Sequence, residues 1–305
     1  MGEAIIARRG GMLKITGQTE EIFRFGGTIN KYDPVCVKFD GTKLSDPLTL
    51  PTGTGFGVAF DSTGTYLAVV HGGSPYITIY KRNEDTFTKL SNPSTLPTGN
   101  GRGVAFDSTG TYLAVAHNSS PYITIYKRSG DTFTKLPNPS TLPKGTGREV
   151  TFDSTGTYLA VTHWDSPYIT IYKRNEDTFT KLSDPSSLPT GFGCRVAFDP
   201  NGKYLAVVHF SSPYITIYKR NEDTFTKLPN PSTLPTGSGH GVTFDSTGTY
   251  LAVTHYGSPY ITIYLPTTVC FKTNLMSDVS IAERVGYAKE SGVAGENKKI
   301  VVIFR

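Results

Sequence analysis

Apolar and polar residues alternate with a period of two along most of the chain, in short runs broken by turn residues. In YITIYKR (76–82), Ile77 and Ile79 are expected to face one way and Tyr76, Thr78 and Tyr80 the other. The repeated region has no segment with the spacing of an amphipathic helix. The same runs return at a fixed step: GVAFD, GVAFD, EVTFD, RVAFD and GVTFD begin at residues 57, 103, 149, 195 and 241, each 46 residues after the last. Each unit predicts four strands, which in the first are 58–60, 66–70, 76–81 and 86–90. DSTGT separates the first two strands, with an aspartate able to bond its own turn backbone; RNED makes a polar hairpin turn between the last two.

Four short antiparallel strands repeated at this interval predict an all-β chain folded as a β-propeller. Five full steps predict five blades. The fifth unit ends at YITIY (260–264) and departs into LPTTVCFKT, while DPVCVKFDGTKLSDPLTLP (33–51) aligns with a third and fourth strand. A ring closed by a strand at residues 42–45 would leave no blade edge unpaired. The surplus strand at 35–39 leaves a sixth, composite blade open. GVAFDSTGTYLAV resembles the VAFSPDGKYLAV word of WD40 and YVTN-type propeller repeats, and the fourth copy, VAFDPNGKYLAV (196–207), resembles it most. That resemblance covers residues 33–264; it implies the fold and is nearly silent on function. The WD of HWDSP is not the family signature, because it lies between the second and third strands.

The copies differ mainly in two loops. One follows the second strand and reads GG, NS, WD, FS and YG; the other enters the first strand. In a propeller both open on one face, so the two variable patches should form one surface. Its conspicuous residues are Phe56, Arg102, Arg148, Trp164, Asp165, Phe192, Arg195, Phe210, His240 and Tyr256. Exposed aromatics with arginine are the usual anchors of binding surfaces, and loops on a rigid scaffold commonly carry recognition. These ten residues are therefore the candidate ligand-binding face. His71, His117, His163, His209 and His255 hold one equivalent position per blade. Strand ends in adjacent blades are too far apart for them to share a metal. Two readings remain for them: scaffold residues bonded to the following serine or a neighbouring loop backbone, or the constant floor of a pocket rimmed by the variable pair.

Composition narrows the function classes. Charged residues are 18% and the net charge of +5 is broken up in KRNED-type turns, which speaks against nucleic acid. No apolar run is long enough to cross a bilayer, and MGEAIIARRGGMLK lacks the apolar stretch of a signal peptide. Cys36, Cys194 and Cys270 are widely spaced and without CxxC pairs, so neither a disulfide scaffold nor a zinc site is expected, although Cys36 and Cys270 could be spatial neighbours. The TGTGFG-type loops precede strands, not helices, and so lack the helix N-terminus of a phosphate loop. The aspartates at 61, 107, 153, 199 and 245 are all turn residues. No cofactor, no metal and no catalytic group is expected, and the chain is read as not an enzyme.

The ends, residues 1–32 and 267–305, fall outside the repeats and are expected to form a small β-rich module, with strands at 5–8 and 300–304. EAIIARRG at the start, and GYAKESG followed by KKIVVIFR at the end, resemble the ends of tail or capsid structural proteins of phages and prophages of Gram-positive bacteria. This resemblance implies a virion protein, made in the host cytoplasm and present in multiple copies. Terminal attachment segments would dock on other virion or tail proteins, while the propeller (33–266) binds host-surface glycan or protein. The alternative is a decoration or scaffold protein whose propeller makes protein contacts within the particle.

Overall fold

The computed structural model describes residues 43–265, together with the backbone of a hairpin that pairs β1 (Met12–Ile15) with β2 (Glu21–Arg24). The first blade runs β3 (Gly55–Phe60), β4 (Tyr66–His71), β5 (Ile77–Asn83) and β6 (Thr86–Lys89). The second is β7 (Gly101–Phe106), β8 (Tyr112–His117), β9 (Ile123–Ser129) and β10 (Thr132–Lys135). The third is β11 (Gly147–Phe152), β12 (Tyr158–His163), β13 (Ile169–Asn175) and β14 (Thr178–Lys181). The fourth is β15 (Gly193–Phe198), β16 (Tyr204–His209), β17 (Ile215–Asn221) and β18 (Thr224–Lys227). The fifth has three described strands, β19 (Gly239–Phe244), β20 (Leu251–His255) and β21 (Ile261–Tyr264). Every blade is an antiparallel meander in chain order, and the described chain is all-β: a five-bladed β-propeller.

The turn chemistry is that read from the sequence. In the first blade Asp61 Oδ1 accepts from the Tyr66 N–H at 2.8 Å, Asp61 Oδ2 accepts from the Thr63 hydroxyl at 2.7 Å, and Gly64 takes a φ of 65° that a side chain would resist. The third strand differs from expectation. Tyr76 lies before β5, at a φ of 68°, where its N–H donates to Gly73 O at 2.6 Å. The alternation beyond Tyr76 holds: in the second blade Ile123 and Ile125 pack at one interface and Tyr126 at the other, and Ile77 to Tyr80 are all buried because an inner strand is covered on both faces.

Each blade buries one face against the next. Tyr66, Ala68, Val70, Ile77 and Ile79 of the first pack on Val104, Leu113, Val115, Tyr126 and Phe133 of the second, and equivalent clusters follow at the later interfaces. Hydroxyl bonds repeat with the same period. Tyr66 donates to Asp131 Oδ1 at 2.6 Å, as do Tyr112 to Asp177 and Tyr158 to Asp223. Lys81, Lys127 and Lys173 pair with the second oxygen of those aspartates, but these pairs are half-exposed and contribute little energy.

The expected closing strand is not formed by Lys43, Leu44 and Ser45. They are exposed and outside any strand, and Lys43 Nζ instead donates to Asp46 Oδ1 at 2.7 Å. Without a pairing partner for their backbone, these residues cannot extend β21, which ends the fifth sheet among the described residues. The expected strands at 5–8, 35–39 and 300–304, and both Cys36 and Cys270, lie outside the described residues.

The five histidines are scaffold residues, and the pocket-floor reading of His71, His117, His163, His209 and His255 is corrected. Their rings are buried under the blade, so none presents a nitrogen to the loop surface. The scaffold bonds run to both sides of the ring: Nε2 pairs with a threonine of the next strand, His71 with Thr78 and His117 with Thr124, both at 2.9 Å, and His163 Nδ1 donates to the carbonyl of Asp165 in the following loop at 2.8 Å. Burial holds His117, His163 and His209 down at about 4, well below the ordinary imidazole value. Because the folded value lies below the unfolded one, the unfolded chain takes up protons first as pH falls. The stabilisation is intact above about pH 6.5 and is lost as the pH falls towards 4, by a few kcal/mol per histidine. Urea unfolding should therefore show a midpoint that drops from pH 7 to pH 4. His117→Gln, which keeps an amide to pair with Thr124, should lose part of that drop; an equally steep profile in the variant would contradict the assignment.

Candidate functional site: three arginines on the loop face

The two variable loops meet in every blade. Gly72, Asn118, Trp164, Phe210 and Tyr256 each donate their N–H to the carbonyl of Thr54, Asn100, Thr146, Phe192 and Ser238 respectively, at 3.0–3.3 Å. These bonds fix the loop after the second strand against the loop entering the first, so the variable residues share one face of the disc.

At the inner ends of the blades, Phe56, Arg102, Arg148 and Arg195 line one cavity of about 150 Å³. They come from β3, β7, β11 and β15, whose N-terminal ends converge there. Close approach of these strands needs small residues: a Cβ on Gly103 would sit 2.7 Å from Glu149 Cα. Three of the five units carry glycine at this repeat position (Gly57, Gly103 and Gly241), and the other two carry Glu149 and Arg195. The two exceptions pair with each other, Arg195 Nε lying 3.1 Å from Glu149 Oε2. Glu149 was not among the ten sequence candidates; its departure from glycine at an otherwise small position is the signal that could have found it.

The cluster carries more positive than negative charge. Among the described residues, only Arg195 of the three arginines is ion-paired. Arg148 is held below its usual range by burial, and the neighbouring Arg102 and Arg195 add to the shift. The Arg102 Nε is buried without a hydrogen-bond partner among the described residues. Burial pushes the Glu149 carboxyl up, against the pull of Arg195. Arg102 lies over the Phe56 ring at 4.4 Å and Arg148 over the Trp164 ring at 5.1 Å, which holds both guanidinium planes in place.

The aromatics expected as separate anchors form a row. Trp164 stacks on Phe192 with centroids 4.5 Å apart, and Phe192 on Phe210 at 4.6 Å, joining the third and fourth blades. Trp164 and Phe210 are about half exposed, and Phe192 is partly buried between them. Asp165 turns its carboxylate onto Gly145 of the neighbouring loop, and its backbone carbonyl accepts from His163 Nδ1 at 2.8 Å. It supports the loop that carries Trp164. His240 and the exposed Tyr256 face one another at 6.2 Å in the fifth blade, and neither lines the arginine cavity.

In sequence, no family model and no curated protein matches the chain. In structure it is similar to a protein of Lactobacillus plantarum at 18% identity and a TM-score of 0.59, over 73% of this chain and 70% of that one. It is similar to a protein of Bacteroides uniformis assigned as a 6-phosphogluconolactonase, at 16% identity and a TM-score of 0.55, over 70% and 66%. A third similarity is to the periplasmic gluconolactonase of Pseudomonas aeruginosa, at 15% and 0.52, over 65% and 64%. The chain thus spans about two-thirds of the length of the last two. At these identities the likeness establishes the propeller fold. It also corrects the expectation that the chain is not an enzyme: that expectation rested on finding only scaffold carboxylates in the repeats, and the same fold is carried by gluconolactonases.

Proposed function

We propose that the loop face binds an anionic sugar, with its carboxylate or phosphate held by Arg102, Arg148 and Arg195 and its ring against the row of Trp164, Phe192 and Phe210. The observation that carries this reading is the gathering of three guanidiniums on one cavity with a single carboxylate, Glu149, paired into it. Two like charges about 4 Å apart at an effective dielectric of 20 repel by about 4 kcal/mol. A fold that holds three together has a strong electrostatic preference for an anion among them, and arginine presents the flat fork that matches carboxylate or phosphate. The adjacent aromatic row supplies the apolar surface that a sugar ring uses. On the likeness of the chain ends to phage structural proteins, the anionic sugar would belong to a host-surface glycan and the terminal segments would dock on the particle.

Isothermal titration with glucuronate-containing oligosaccharides and with their neutral glucose counterparts tests the reading. Binding should favour the charged series, weaken as salt rises, and fall at least about tenfold in Arg148→Ala, the loss expected for a charge-assisted bond. Equal affinity for both series would refute it.

A second reading is favoured by the buried Glu149 beside the arginines and by the lactonases that share the fold. A carboxylate with a raised proton affinity is the better general base. Glu149 would take a proton from water, whose oxygen attacks the carbonyl carbon of a sugar lactone while a guanidinium stabilises the oxyanion. The ring C–O bond then breaks, and the departing oxygen takes the proton back to give the open acid. Acid release from 6-phosphogluconolactone or gluconolactone should exceed the spontaneous rate and fall by about 100-fold in Glu149→Gln. A rate equal to the spontaneous one would remove the hydrolytic reading and leave the binding reading standing.

A further inference from the structure

The first and fifth blades, at the two ends of the described array, each leave exposed a face that the other blades keep covered. Val58 is 65% exposed, whereas its counterpart Val104 is 7% exposed; Ile263 is 63% exposed, against 3% for Ile79. Phe60 of the first blade and Tyr250 and Ile261 of the fifth are also exposed, although their counterparts elsewhere lie inside the blade interfaces. This is an apolar seam two faces wide, of the kind a soluble surface rarely leaves open.

The described chain enters the seam as the end of a preceding unit. Lys43, Leu44, Pro47, Leu50, Pro51, Thr52 and Gly53 stand 46 residues before Lys89, Leu90, Pro93, Leu96, Pro97, Thr98 and Gly99. Contacts repeat along with the residues. The Lys43–Asp46 bond at 2.7 Å is the counterpart of Lys89–Asn92, Lys135–Asn138 and Lys181–Asp184 at 2.6–2.8 Å, which follow the fourth strand in the first three blades. Thr49 O accepts from the Tyr80 hydroxyl at 2.9 Å, as Thr95 O does from Tyr126 at 3.0 Å.

Upstream of Lys43, Asp40 and Gly41 make a two-residue hairpin word, and Val35 and Val37 before it alternate like Ile77 and Ile79. Counting back through that hairpin puts Cys36 at the place of Thr78, which is buried in β5. Earlier still, β1 and β2 already form an antiparallel hairpin, in the order of a blade's first two strands. At the other end, Phe271 stands 46 residues after Phe225, in the series Phe87, Phe133, Phe179 and Phe225 of the fourth strands.

We propose that residues 12–44 fold as a divergent blade wedged into this seam. One of its faces covers Val58 and Phe60, the other covers Tyr250, Ile261 and Ile263, and residues around Phe271 complete the fifth blade. The occupant is the chain's own N-terminal segment, because residues 43–53 keep the 46-residue register of the unit ends and, upstream of them, β1 and β2 pair in the order of a blade's first two strands.

Thiol alkylation of the native full-length protein, mapped by peptide mass, tests the assignment without a mutation. Cys36 should react at least roughly 100-fold more slowly than in denaturant, as expected for a side chain in an inner strand. Modification of native Cys36 at the denatured rate would overturn the proposal. In parallel, light scattering should find a monomer, and Val58→Asp and Ile263→Asp should each lower Tm by roughly 5 °C or more. A concentration-dependent dimer that Val58→Asp dissolves would show that a second copy fills the seam. Unchanged Tm in both variants would show that nothing does. Either result contradicts the proposal.

Discussion

A blade of this propeller cannot bury both of its faces by itself, and most of the architecture follows from that constraint. Each four-stranded sheet covers one face with its predecessor and the other with its successor, so Ile77 and Ile79 are buried only because Val104 and Phe133 of the next blade lie on them. Near-identical copies are a direct solution, since a face that fits once fits at every interface. The same constraint confines variation. A change inside a strand must be matched across an interface, whereas the loops at one end of the disc are free of that demand. The arginines and aromatics collect there because the scaffold below them cannot change.

Within the loop face the physical character is set by charge, not by shape alone. Arg102, Arg148 and Arg195 come from three successive inner strands, and the only carboxylate paired with them among the described residues, Glu149, occupies a position where three other units carry glycine. The pair of exceptions at this position is informative: an arginine in the fourth blade is matched by a glutamate in the third, and the glycine of the second makes room for the glutamate. The aromatic row extends from the cluster, through the contact of Arg148 with Trp164, to Phe210. An acidic sugar would satisfy the charge and the apolar surface together.

Much of the fold was legible in the sequence because the repeat supplied its own controls. The 46-residue step, the four strands, the aspartate turns and the shared face of the two loops all follow from local pattern and period. Other features depend on tertiary surroundings that no local pattern carries. Tyr76 leaves its strand for a left-handed turn conformation although its sequence alternates perfectly. The histidines were equally suited to a pocket floor and to a scaffold, and only burial and the Thr78-type partner decide between them. The closing strand expected at 42–45 relied on a count of blades, and the exposed Lys43 and Leu44 show that matching a strand word does not supply its partner. In the site, the ten candidates were found by their variability, but the mutual stacking of Trp164, Phe192 and Phe210 and the part played by Glu149 depend on distances between blades.

The direct measurement is side-chain NMR of the arginines. In a uniformly nitrogen-15-labelled sample, the Nε–Hε resonances of Arg102, Arg148 and Arg195 can be assigned by single substitutions and followed as 6-phosphogluconate or glucuronate is added. The account predicts that these three signals shift together and saturate, while Arg82 and Arg220, near the C-terminal ends of β5 and β17, stay still and glucose leaves all of them in place. Saturable shifts in Arg82 and Arg220 alone, or none in the three of the cluster, would contradict it.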